Sequence, residues 1–123
     1  MKILIFENEY TYIENAFNYV NVKYFNGNLD IIVFPKSQDL NPFRDIETFD
    51  HVFIDISLSK NSHLDGFGIL KKIKEEKLNI KKLTILTGNN NIGKKLLELN
   101  LGQFPILTKP ITFSSLKESL EAK

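Results

Sequence analysis

Apolar residues occur along this chain in short, nearly unbroken runs separated by longer stretches of mixed character. The runs are Ile3 to Phe6, Ile31 to Phe34, His51 to Asp55 (which ends in a carboxylate), Leu83 to Leu86 and Phe104 to Leu107. Runs of this length, rich in β-branched and aromatic residues and closed by polar or turn-forming residues, predict buried strands. Between them the spacing changes. Ile13, Ala16, Phe17 and Val20 fall at i, i+3, i+4 and i+7, one face of a helix. Phe67, Leu70 and Ile73 predict the inner face of a helix over Gly66 to Lys77. Ile92, Leu96, Leu97 and Leu99 do the same for a helix that the Asn89-Asn90-Asn91 loop can cap and Gly102 can end. Phe113, Leu116 and Leu120 follow Thr112, a suitable N-cap for a last helix. Residues 36 to 49 show the weakest pattern, and Pro42, a helix start or a break, limits them to at most a short helix from about Pro42 to Thr48.

Strands alternating with helices, with strands that are apolar on both faces, predict a parallel sheet covered by helices on each side. Five strands in 123 residues fit one domain, residues 1–123, with a doubly wound (βα)5 arrangement and the flavodoxin-like strand order 2-1-3-4-5. In that order strands 1 and 3 are neighbours at the switch point, where such sheets bind their ligands.

Composition narrows the options. An apolar content of 42% supports a real core, and a formal net charge of +1 gives no field to attract nucleic acid or a membrane surface. Arg44 is the single arginine, which disfavours base reading by arginine and any direct DNA binding. No cysteine is present, so thiol chemistry and disulfides are excluded. No apolar run approaches the roughly 18 to 20 residues of a membrane span. The expectation is a soluble cytoplasmic protein.

The chemistry lies at the strand ends. Glu7, Asn8 and Glu9 follow the first run, Asp55 the third, Thr87 the fourth and Lys109 the fifth. Each has an ordinary explanation alone: a first-turn acid facing a helix dipole, a strand-end cap, a strand threonine, a solvated lysine. Parallel strands bring these ends to one edge. An acid pair, a hydroxyl and an ammonium there suit phosphoryl transfer to a carboxylate. Asp55 would be the nucleophile, the acids would hold a divalent cation, and Thr87 and Lys109 would contact the phosphoryl oxygens.

At these residues the whole chain resembles the receiver domain of two-component response regulators. The matching features are Ile3-Leu4-Ile5-Phe6-Glu7-Asn8-Glu9, Val52-Phe53-Ile54-Asp55, Asp65-Gly66-Phe67, Leu86-Thr87-Gly88, Gly102 and Leu107-Thr108-Lys109-Pro110. The resemblance implies a phosphoacceptor at Asp55, with Thr87 and Lys109 as its partners. It implies Mg2+ held by Glu7, Asn8, Asp55 and the Ser57 backbone carbonyl. It implies a sensor histidine kinase or phosphotransfer protein as donor, and an unidentified downstream protein bound at the last helix-strand-helix face. The protein would be a stand-alone switch and not an enzyme. The resemblance also implies a cis Lys109–Pro110 bond.

Three features depart from the family pattern, while Ser57 and Asn89 match its variable positions. Asn8 replaces an acidic Mg2+ ligand, which predicts weaker cation binding. The loop from Asp55 to Gly66 is long, with Ser59 where proline is common. Ile106 replaces the switching aromatic. Ser57 and Asn89 occupy the variable positions that tune phosphate lifetime. Asn8 and Ile106 keep a second reading open, a receiver-like interaction module that works without phosphorylation. The run Gly88-Asn89-Asn90-Asn91-Ile92-Gly93-Lys94-Lys95 nearly spells a phosphate-binding loop, but Lys95 stands where Ser or Thr should hold Mg2+. His51 and His63 lack a partner at metal spacing and are expected to be structural or solvated.

Overall fold

The computed structural model describes residues 1–58, 60–88 and 91–122. Five strands, β1 (Lys2–Phe6), β2 (Asp30–Phe34), β3 (His51–Asp55), β4 (Leu83–Thr87) and β5 (Ile106–Thr108), form one sheet. All pairings are parallel and the order is β2-β1-β3-β4-β5, as expected. The described residues contain four α-helices: α1 (Glu14–Phe25), α2 (Gly66–Glu75), α3 (Ile92–Glu98) and α4 (Phe113–Glu121). The connection from β2 to β3 holds no α-helix. It holds two 3-10 helices, Ser37–Asp39 and Phe43–Thr48, the second where the short helix was expected.

Strand side chains alternate between faces, so each strand supplies both halves of the core. Ile3, Ile5, Phe53, Leu86 and Leu107 pack with Ala16, Phe17 and Val20 of α1 and Leu116 and Leu120 of α4. Leu4, Phe6, Val52, Ile54 and Ile85 pack on the other side, with Ile46 and Phe49 of the 3-10 segment, Ile69 and Leu70 of α2, and Ile92 and Leu96 of α3. Phe17 meets Phe53 edge-on, with ring centroids 5.2 Å apart.

Several expectations shift at this level. β2 is half-buried rather than buried, because it has a neighbour on one side only. In α2 the most enclosed side chains are Ile69 and Leu70, while Phe67 and Ile73 pack at the margin; Lys77, at φ +54, lies just past the helix. In α3 only Ile92 and Leu96 face inward. Leu97 sits one step round the helix and Leu99 follows its last residue, so both are exposed. Gly102 is not the helix cap: Asn100 adopts the left-handed conformation first, at φ +57, and Gly102 follows at φ +96. β5 begins at Ile106, because Phe104 leaves the strand line to pack beside the α2–α3 core. Phe113 does not point inward; it stacks on Tyr19 of α1 at 4.1 Å. Thr112 caps α4 by accepting a hydrogen bond from the Ser115 N–H at 3.1 Å. The Lys109–Pro110 bond is cis, as is Asn41–Pro42.

Candidate functional site

The site grows out of register. β1 and β3 pair Ile5 with Phe53 and Phe6 with Ile54. One step further along the sheet, Glu7 continues the row of Ile3 and Ile5, and Asp55 the row of His51 and Phe53. Both acids therefore point to the α1–α4 side of the sheet at its carboxyl edge. Glu7 is 1% exposed and Asp55 4%. Buried carboxylates need partners. Both find one in Lys109, which follows β5 and is fixed by its own N–H donating to the Thr87 carbonyl at 2.8 Å.

The Lys109 Nζ lies 2.6 Å from Glu7 Oε2 and 3.5 Å from Asp55 Oδ2. The remaining oxygens accept backbone hydrogen bonds. Glu7 Oε1 takes the Glu9 N–H at 3.1 Å, and Asp55 Oδ1 takes the Ser57 N–H at 3.0 Å. One ammonium thus serves two carboxylates. Burial pushes the Glu7 carboxyl above its ordinary pKa; the Lys109 hydrogen bond opposes this and the Asp55 charge reinforces it. Burial works against the Lys109 ammonium, yet the Glu7 hydrogen bond and the two negative charges hold its pKa above the ordinary lysine value. Thr87 is buried at the end of β4, Asn8 is half-buried beside Glu7, and Ser57 is exposed in the turn after Asp55.

The sequence-predicted residues thus share one edge, and the Glu7–Lys109–Asp55 group is in direct contact. Among the described residues no three His, Cys, Asp or Glu side chains converge on a metal position. The available charged donors are the two carboxylates, and the chain adds the Asn8 amide and the Ser57 carbonyl next to them in sequence. All are hard oxygen ligands of the type Mg2+ takes, with one fewer charge than an acidic residue at Asn8 would supply. Two buried carboxylates are donors of the kind that fits Mg2+.

The structure also gives roles to residues the sequence did not single out physically. A Cβ on Gly66 would stand 2.5 Å from the Ile56 Cα and 2.7 Å from the Asp55 carbonyl oxygen. Only glycine lets α2 begin this close to the strand end. Asp65 caps that helix by accepting the Gly68 N–H at 2.7 Å. Ser37 and Gln38, which carried no sequence signal, hold the loop beyond Asp55. Of the competing motif, Asn89 and Asn90 lie outside the described residues, as does Ser59. Lys95 lies over the Phe67 ring, 5.2 Å from its centre. His51 is buried and structural, whereas His63 is exposed.

Fold and site together define a doubly wound domain with the fold of response-regulator receiver domains. It is similar to the signal receiver domain of a DNA-binding response regulator from Colwellia psychrerythraea (20% identity, TM-score 0.74, covering 98% of this chain and 95% of that one). It is similar also to the receiver domain of Francisella response regulator 1452 (22%, 0.66, 94% and 89%). A third is a CheY-like receiver domain protein from Methanospirillum hungatei (18%, 0.70, 98% and 90%). No family model matches the chain, and no curated protein matches it in sequence. No helix among the described residues is long and apolar enough to cross a membrane.

Proposed function

We propose that this domain is a phosphorylation-driven signalling receiver with Asp55 as its phosphoacceptor. The observation that carries this reading is the pair of buried carboxylates, Glu7 and Asp55, sharing the Lys109 ammonium at the carboxyl edge of a receiver fold. An Asp55 carboxylate oxygen attacks the phosphorus of a phosphohistidine on a sensor kinase or phosphotransfer protein. The O–P bond forms as the P–N bond breaks, and the departing imidazole takes a proton. Lys109 and the Thr87 hydroxyl bind the phosphoryl oxygens and stabilise the charge that develops there. Glu7, Asn8, Asp55 and the Ser57 carbonyl would hold Mg2+, which supplies compensation for the phosphoryl charge when bound. The modified domain would signal by binding another protein at the surface formed by α3, β5 and α4, in the cytoplasm, without DNA binding or turnover of its own.

Incubation with acetyl phosphate or beryllofluoride and Mg2+ tests this directly. Wild type is expected to gain one phosphoryl group by mass from acetyl phosphate and to change its spectrum with beryllofluoride, and Asp55→Asn to do neither. An unmodified wild type would overturn the phosphoacceptor reading. Such a result would favour an interaction module that works unphosphorylated, to which Asn8 and the non-aromatic, exposed Ile106 already point.

Asn8 leads to a second expected result. Asn8→Asp adds a charged ligand and should tighten Mg2+ binding by about tenfold, since ligand charge sets hard-cation affinity. Mg2+ titration of both proteins checks this, and equal affinities would rule out Asn8 as a ligand.

A further inference from the structure

Among the described residues the buried polar ones are Glu7, Asp55 and Thr87 at the candidate site, His51 and Thr84 within the sheet, and Ser37. Ser37 is 3% exposed and belongs to neither group. Its surroundings form a closed set of hydrogen bonds. The Ser37 N–H donates to Ser62 Oγ at 2.8 Å, and Ser62 Oγ donates to the Leu64 carbonyl at 2.6 Å. The Leu64 N–H donates back to Ser37 Oγ at 3.0 Å. Gln38 extends the set. Its Nε2 donates to the Asn61 carbonyl at 2.8 Å, and its Oε1 accepts the His63 N–H at 2.9 Å.

The segment held in this way belongs to the loop that leaves Asp55. That loop begins with the Ser57 N–H on Asp55 Oδ1 and the Leu58 N–H on the Asp55 carbonyl. It ends where Gly66 abuts Ile56. The polar residues between would sample many conformations if nothing crossed to them. The turn after β2 crosses to them with four hydrogen bonds.

We propose that Ser37 and Gln38 are positioning residues for the candidate site: they anchor residues 61 to 64, downstream in the loop that leaves Asp55, and so limit movement of the backbone at Ser57. This rests on the reading above, in which the Ser57 carbonyl is a Mg2+ ligand. A backbone ordered in advance need not be ordered when the cation binds, so affinity rises. Outer partners that orient metal ligands act in this way.

The test compares wild type with Ser37→Ala, Ser37→Thr and Gln38→Ala, by Mg2+ titration, amide hydrogen exchange and thermal unfolding. Gln38 is half-buried, so Gln38→Ala should fold even if Ser37→Ala does not. In Gln38→Ala, exchange at His63 should quicken and Mg2+ affinity fall about tenfold, the lower end of such outer-partner losses. Ser37→Thr keeps the hydroxyl and should stay near wild type. Faster loop exchange with unchanged Mg2+ affinity would overturn the positioning role and leave Asp55 as phosphoacceptor standing. A wild type that binds no Mg2+ would instead overturn the cation site, and the positioning role with it.

Discussion

Replacing Gly66 with alanine is expected to lower the free energy of unfolding by about 3 kcal/mol, the upper end of the cost of forcing volume into packed structure. The added Cβ would meet the Ile56 Cα at 2.5 Å and the Asp55 carbonyl oxygen at 2.7 Å. Both are backbone atoms and cannot rotate aside, so α2 must shift as a body or the end of β3 must move. The same backbone carries Asp55, whose side chain is held by the Ser57 N–H and approached by Lys109. The variant should therefore also react more slowly with beryllofluoride than wild type. Urea unfolding measures the first effect and fluorescence or NMR titration the second. Gly93→Ala is the matched control. Nothing lies within 4 Å of its Cβ position and it sits inside α3. That variant should gain roughly 0.5 to 1 kcal/mol from helix propensity alone. A Gly66→Ala protein as stable as wild type would show that α2 seats differently on β3.

The second large effect belongs to His51 and pH. The ring is 1% exposed, stacked on Phe53 at 4.2 Å, with Nε2 2.7 Å from Thr84 Oγ1. Its Nδ1 has no hydrogen-bond partner. Burial first, and the Lys82 charge second, push its pKa down to about 4. In the unfolded chain the value is near 6.5. Between these values the unfolded chain binds a proton that the folded domain refuses. His51 therefore contributes stability that is complete above pH 6.5 and is lost as pH falls toward 4. The loss from this residue alone is about 3 kcal/mol, at 1.36 kcal/mol per pKa unit. Glu7 acts in the opposite sense, because its raised pKa favours the folded state as pH falls. Comparison with His51→Gln at each pH separates the two. The variant lacks the titrating ring, so its stability should fall less steeply between pH 6.5 and 4. Parallel curves for the two proteins would rule out His51 as the source.

Both effects depend on contacts that are invisible in a linear pattern. Asp65-Gly66-Phe67 stood out in the sequence through resemblance alone; the steric demand appears only when Ile56 and Gly66 are brought together. His51 looked like an ordinary strand-start residue, and its burial follows from the closing of α4 over the sheet. Ser119 of α4 lies 3.3 Å from the Thr84 hydroxyl that His51 contacts. Ser37 and Gln38 gave no signal at all, because their partners lie some 25 residues away in a loop without periodicity.

Local pattern was enough for other features. The bounds of β3, the parallel order of the sheet, the capping role of Thr112 and the polar strand ends at Glu7, Asp55, Thr87 and Lys109 were all legible in the residues themselves. Strand and helix periods are short-range properties, set by neighbours within a few positions. The alternation of strand and helix then leaves few ways to build the sheet. Tertiary structure decided the rest: the half-buried edge at β2 and the outward Leu97 and Phe113. It also decided the 2.6 Å contact between Glu7 and Lys109, residues 102 positions apart. Such a distance depends on the register of β1, β3, β4 and β5 together, and no stretch of sequence carries that register by itself.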